Sequence, residues 1–296
     1  MPKKQRLPFD KRVKKPPAMR LTSRDFQVVE AVYSMRFLRR DQIERLFFKG
    51  RNMANYRLQR LYQHGFLNRI YIPEDIRYNA RNTQAMYCLD EAGADLLARE
   101  AGIPRENIRW HTDRNKVREF FIEHLLKIND VRIGLTLAAK ARGDRIVKWV
   151  PDWELKEYNE HVEDPETGRV YPVFPDAYFV YERSDTGKTG HFFLELDRGT
   201  MENRRFAVKI KAYMLYFDEN GHEPSKFYQR YSTHSIRVLT VVPSQRRLRN
   251  LKTTTEQVGG ARRFWFCDYA ALAPEHILEP VWEVAGEDEP ASLIGR

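Results

Sequence analysis

The stretch HFFLELDRGT, residues 191–200, decides how the C-terminal part of this 296-residue chain is read. Side chains alternate along a strand, so Phe193, Glu195 and Asp197 share one face while Leu194 and Leu196 point away. The strand therefore ends on two carboxylates facing the same way. A solvated strand end is the plain reading. The sharper reading needs a third acid, and the sequence supplies one. Asp176 begins the preceding strand directly after Pro175, and a Ser-Asp-Thr-Gly-Lys-Thr-Gly turn suits a hairpin between the two strands. Pairing of that hairpin brings Asp176 to the 195/197 end. Three carboxylates converging at a sheet edge form a hard-oxygen pocket of the kind that Mg²⁺ or Mn²⁺ takes. A bound divalent ion activates water and neutralises charge developing on a phosphorus.

The surrounding pattern gives that strand its frame. Residues 114–142 read as a long helix or helix pair, and strands fall within 144–155, 170–182 and 190–197. A clear helix spans 201–220, an apolar strand 235–244, then a basic helix and a last strand at 261–268. In the 201–220 helix, Phe206, Ile210, Tyr213 and Phe217 mark the buried stripe. At about 100° per residue, Lys209 lies roughly 60° from the stripe's centre and Lys211 about 140°. Lys209 can therefore lean toward the sheet, whereas Lys211 faces solvent. On the first helix the stripe is Val117, Phe121, His124 and Ile128, with His124 on its centre. A histidine there is either a satisfied core residue or a hydrogen-bond partner of a site carboxylate.

Charge separates the chain into two parts. Residues 1–82 hold 20 Lys/Arg against 7 Asp/Glu, whereas residues 83–296 hold 31 against 34. The basic excess belongs to the first quarter, and a basic module attracts polyanions, nucleic acid above all. Residues 1–20 carry 8 Lys/Arg and four prolines with little apolar content, as a flexible arm does.

Residues 21–100 then follow a helix–helix–helix–hairpin–helix pattern. The first helix opens at Thr22 or Ser23 with Asp25 in its first turn. The second opens at Asp41, and the third runs over 52–67 and stops at Gly65, with Met53, Tyr56, Leu58, Leu61 and Tyr62 on or near the inner side. A hairpin between 69–72 and 84–89 and a helix over 90–100 complete the module. This order is that of a winged helix-turn-helix, whose third helix enters the major groove of double-stranded DNA. The outward candidates on that helix are Arg51, Asn52, Asn55, Arg57, Gln59 and Arg60, residue types that pair bidentately with guanine and adenine edges. Arg77, Arg81 and Asn82 at the hairpin tip suit phosphate or minor-groove contact. A winged helix used only for protein contacts is the alternative. The domains expected are therefore an arm at 1–20, a winged helix-turn-helix at 21–100, a linker at 101–113 and an α–β–β–β–α–β domain at 114–296.

Pro175-Asp176 followed by Glu195-Leu196-Asp197 within that frame resembles the PD-(D/E)xK nuclease-like superfamily, which implies a restriction-endonuclease-like domain of α/β and α+β character. The superfamily carries a lysine two residues after the glutamate, where this chain has Asp197. The resemblance implies catalytic roles for Asp176, Glu195 and Asp197, the same three as ligands of Mg²⁺ or Mn²⁺, with Lys209 arriving from the next helix to assist water. The winged-helix start, the Glu123-His124 and Asn129-Asp130 pairs, Pro175-Asp176-Ala177, Glu195-Leu196-Asp197-Arg198-Gly199-Thr200 and the Lys209/Tyr213 pair together resemble the plasmid replication-relaxation family of bacterial mobile elements. That likeness implies DNA handling on plasmids or integrative elements, with a homodimer and plasmid replication or mobilisation proteins as further partners. The reading leaves two functions open: a metal-dependent endonuclease, or a non-catalytic DNA-binding accessory or regulator whose second domain serves dimerisation or grip. Cys88 and Cys267 lie far apart and form neither a disulfide framework nor a zinc cluster. With no apolar run long enough for a membrane span and no secretory h-region at the start, a cytoplasmic protein is expected.

Overall fold

The computed structural model describes residues 11–71, 85–218 and 225–295. The expected hairpin tip, with Arg77, Arg81 and Asn82, lies outside the described residues. The chain divides into two compact units, Met1–Asp130 and Val131–Arg296.

In the first unit, helix α1 spans Ser23–Met35. Thr22 caps it by accepting from the Asp25 amide, while the Asp25 carboxylate accepts from the Thr22 amide at 2.8 Å, so two otherwise orphaned donors are satisfied. Its buried face is Val28, Val29, Val32 and Met35. A short strand β1 (Leu38–Arg39) leads into α2 (Arg40–Phe47) and α3 (Arg51–Gln63). Gly65 takes φ +74° and turns the chain from α3 into β2 (Leu67–Ile70), which pairs antiparallel with β3 (Met86–Leu89). Helix α4 (Glu91–Ala101) follows, capped by Asp90 and ended by left-handed Gly102. Among the described residues the sheet order is β1-β3-β2. Two-residue β1 carries no alternation pattern, so periodicity could not reveal it.

Helix α5 (Glu119–Arg142) runs through the division between the units, beyond the boundary expected near 113. Polar pairs bind its first half into the first unit. Asn129 donates to the carbonyls of Met35 and Phe37 at 3.0 and 2.8 Å. Gln42 donates to the Leu126 carbonyl at 2.8 Å, and Arg39 donates to both oxygens of Asp130 at 3.0 Å.

The second unit is built on a mixed sheet. Its elements are β4 (Arg145–Pro151), α6 (Asp152–Glu157), β5 (His161–Glu163), β6 (Val170–Pro172), β7 (Ala177–Glu182), β8 (Thr189–Leu196) and α7 (Asn203–Phe217). They continue as α8 (Lys226–Tyr231), β9 (Arg237–Val242), α9 (Gln245–Gln257), β10 (Phe264–Asp268), β11 (Pro280–Val284) and β12 (Ala291–Ser292). Among the described residues the main sheet runs β12-β11-β10-β9-β8-β7-β4, while β5 and β6 pair separately. Strands β4, β7 and β8 are antiparallel neighbours, and β8, β9 and β10 run parallel with α7 and α9 as crossovers. The strand expected over 170–182 is two strands, because Pro175 has no amide to offer a ladder. The sheet also extends through β11 and β12, past the strand expected to be last. Phe193 packs with Phe206, Ile210, Tyr213 and Phe217 of α7 in one aromatic-rich core.

Candidate functional site

The register of β7 and β8 sets Ala177 opposite Leu194, which brings Asp176 beside the end of β8. The Asp176 amide donates to the Leu194 carbonyl at 2.9 Å, and the Asp176 carboxylate accepts from the Leu196 amide at 2.7 Å. Glu195 is only 5% exposed. Strand alternation aims it at α7, where Lys209 donates to one oxygen and the Tyr213 hydroxyl to the other. Lys209 and Tyr213 are four apart and share a helix face. Lys211 leaves in another direction and pairs with Asp164 at 2.6 Å. Burial pushes the Glu195 carboxyl up to about 7, with the Lys209 charge pulling it back and Asp176 adding to the rise. Burial works against the Lys209 ammonium, but attraction to Glu195 and Asp176 outweighs it and holds the group above its ordinary range.

Asp197 is held from α9. It is 6% exposed, and Arg247 of α9 grips both its oxygens, at 2.8 Å from Nε and 3.0 Å from Nη2. The Gly199 amide donates to it as well, at 2.8 Å. Arg247 also donates to the Asn203 side chain and the Met201 carbonyl, so it fastens the β8–α7 connection to α9. A carboxylate offers about four acceptor sites: Lys209 and Tyr213 take one on each oxygen of Glu195, while Arg247 and the Gly199 amide take three on Asp197. Among the described residues no group of three or more His, Cys, Asp or Glu side chains gathers as a metal site. The geometry gathers Asp176, Glu195, Lys209 and Tyr213 at the end of β8, while Asp197 is held by Arg247 and the Gly199 amide. Nothing in the sequence around Arg247 announced its partner fifty positions earlier.

His124 is half-buried and belongs to the first unit, whereas the carboxylates belong to the second. In the first half of α5 the buried residues include Ile122, Leu125, Leu126, Ile128 and Asn129; of the expected Val117, Phe121, His124, Ile128 stripe, Ile128 is buried while Phe121 and His124 are half-buried. The helix starts only at Glu119, so Val117 lies before it and the expected stripe loses its first position.

The third helix of the first unit carries the second candidate surface. Arg51, Asn52 and Asn55 are exposed, as expected, and Gln59 is half-buried. Arg57 and Arg60 are occupied within the fold. Arg57 donates to Asp25 through both its Nε, at 2.9 Å, and its Nη2, and Arg60 donates to the carbonyls of Pro17 and Ala18. Burial would raise the Asp25 carboxyl, but hydrogen bonds from Arg57 and Thr22 prevail and lower it. Both arginines are thus engaged with groups of the first unit. Met53 and Tyr56, expected on or near the inner side, are 53% and 48% exposed. The buried side is Ala54, Leu58, Leu61 and Tyr62.

The described part of the basic arm lies along this helix. Arg12 donates to the carbonyls of Tyr62 and Leu67 at 2.7 and 3.0 Å and to Asp90, and it sits over the Tyr62 ring. Gln63 bridges Lys11 and Val13 at 2.9 Å each. His64 meets the Pro17 carbonyl at 3.0 Å. Residues 11–20 are therefore held against α3, with Lys11, Lys14, Lys15 and Arg20 exposed.

A family model described as replication-relaxation matches residues 29–228, more than half of the chain. No curated protein and no solved structure matches. Among the described residues, no helix is long and apolar enough to cross a membrane.

Proposed function

The chain belongs to the replication-relaxation family, and on that premise we propose that it binds double-stranded DNA through a winged-helix first unit during replication or relaxation of a plasmid or other mobile element. In this reading the second unit is nuclease-like in plan but does not cleave, and it serves grip or dimerisation. The partners are duplex DNA, a second copy of the chain, and replication or mobilisation proteins of the element.

The observation that carries the binding reading is the outward side of α3, where Arg51, Asn52, Asn55 and Tyr56 stand exposed on a packed helical scaffold. The lysines of the arm flank that helix and supply charge for phosphates. The non-cleaving reading rests on Arg247, which takes both oxygens of the acid standing where the superfamily keeps its lysine.

Both halves are open to direct test. Binding to labelled duplex should weaken about a hundredfold or more between roughly 50 and 200 mM salt, because phosphate contacts release counterions. A flat response would refute the basic-module reading. Supercoiled and linear plasmid incubated with Mg²⁺ or Mn²⁺ should stay intact. Cleavage that a chelator abolishes and Glu195→Gln removes would overturn the non-cleaving reading.

A further inference from the structure

The DNA-binding reading leaves open what sequence α3 recognises, and the helix itself narrows the choice. The buried positions Ala54, Leu58, Leu61 and Tyr62 define its inner direction. At about 100° per residue, Tyr56 projects directly opposite, and Asn52 and Met53 flank it within roughly 60°. Arg60 shares that outward sector, but its guanidinium is turned onto the Pro17 and Ala18 carbonyls. Arg57, on the helix edge, is locked to Asp25. The arm thus removes from the reading face the cation best suited to guanine. What remains outermost is one amide, one thioether and one aromatic ring.

Each of these has a defined match in the major groove. The asparagine amide pairs bidentately with adenine, donating to N7 and accepting from N6. Apolar side chains meet the thymine methyl, which cytosine lacks. Met53 and Tyr56 are large and exposed, so the fold has no use for their apolar surface. The surroundings favour DNA over a protein partner. Lys49 and Arg51 are exposed at the start of the helix, and Lys14, Lys15 and Arg20 are exposed on the arm beside it, an arrangement complementary to two flanking phosphate backbones.

We infer that the outward face of α3 reads A·T base pairs, with Asn52 on adenine and with Met53 and Tyr56 on thymine methyl groups. This rests on the DNA-binding reading above. The reading face has this character because Arg57 and Arg60 of α3 are spent on holding the module together.

The test uses the full chain and a random duplex library. Repeated selection should recover sites with an A·T core. In the selected site, uracil replacing thymine removes only the methyl group. That change should weaken binding about fourfold in the wild type, the scale of one buried methyl, and leave a Met53→Ala/Tyr56→Ala variant almost unaffected. Asn52→Ala should cost about tenfold on the selected site and little on an unrelated G·C duplex. All three positions are exposed, so thermal melting should be unchanged and serves as the folding control. A G·C core, or equal uracil sensitivity in wild type and variant, would overturn the A·T inference while salt-dependent binding kept the DNA-binding reading intact. Absence of binding to every duplex would overturn both.

Discussion

Arg247 crosses from α9 to the end of β8 and holds Asp197 by both oxygens, at 2.8 and 3.0 Å. The two side chains are 13% and 4% exposed, so this is a buried ion pair and not a surface one. Arg247→Ala strands a buried carboxylate and should cost about 3–5 kcal/mol, measured by urea unfolding. Asp197→Asn leaves the arginine two other acceptors, the Asn203 side chain and the Met201 carbonyl, and should cost less. A loss below about 1 kcal/mol for Arg247→Ala would mean the pair is not the clasp described.

The Glu195 pair gives a pH signature. Its carboxyl sits at about 7 in the fold against 4.5 as the ordinary value. The folded chain therefore keeps a proton that the unfolded chain releases over that window. The stability this provides is fully present below 4.5 and is lost as pH rises through 7. Glu195→Gln cannot ionise, so its stability relative to wild type should rise between about pH 5 and about pH 8. Urea midpoints at the two pH values read the effect. A difference that does not change with pH would contradict it.

Asp25 and Arg57 separate stability from recognition in the first unit. The Asp25 side chain is 1% exposed, so Arg57→Ala should destabilise by about 3–5 kcal/mol and lose DNA binding through unfolding. Asn52→Ala should stay within about 0.5 kcal/mol of wild type in stability and lose binding on the folded protein. Asp25 is held below its ordinary 3.8, so its contribution is present above that value and fades as pH falls through the lower folded one. Melting curves beside binding isotherms distinguish the two variants.

Two glycines of the first unit should respond differently to substitution. A Cβ at Gly93 would lie 2.1 Å from the Phe66 carbonyl oxygen, where α4 crosses the turn into β2. Gly93→Ala must push helix and turn apart, at about 1–3 kcal/mol. Gly50 meets nothing within 4 Å and keeps a negative φ of −174°, so Gly50→Ala should lie within about 0.5 kcal/mol of wild type. Thermal denaturation of both variants provides the comparison.

The local patterns that the sequence carried were those with a repeating period or a specific punctuation residue. Thr22 and Asp25 marked the start of α1, Gly65 the end of α3, and alternation placed Phe193 and Glu195 on one face of β8. The helical angle of Lys209 was enough to bring it to Glu195 and to send Lys211 elsewhere, because both positions are fixed by one rigid helix. Met53 and Tyr56, expected on or near the inner side, stand exposed, since apolar character by itself does not say which face of a helix is buried.

The family match and the basic first quarter were likewise properties of the sequence by itself. Tertiary structure decided which charges were free to act. Arg247 meets Asp197 across fifty residues, Arg57 meets Asp25 across thirty-two, and Arg12 reaches Asp90 across seventy-eight. No periodicity encodes such pairs, because they depend on where the chain returns in space. Those returns joined Asp197 to Arg247 and engaged Arg57 and Arg60 with groups of the first unit. They left Asn52, Met53 and Tyr56 as the outermost side chains of α3.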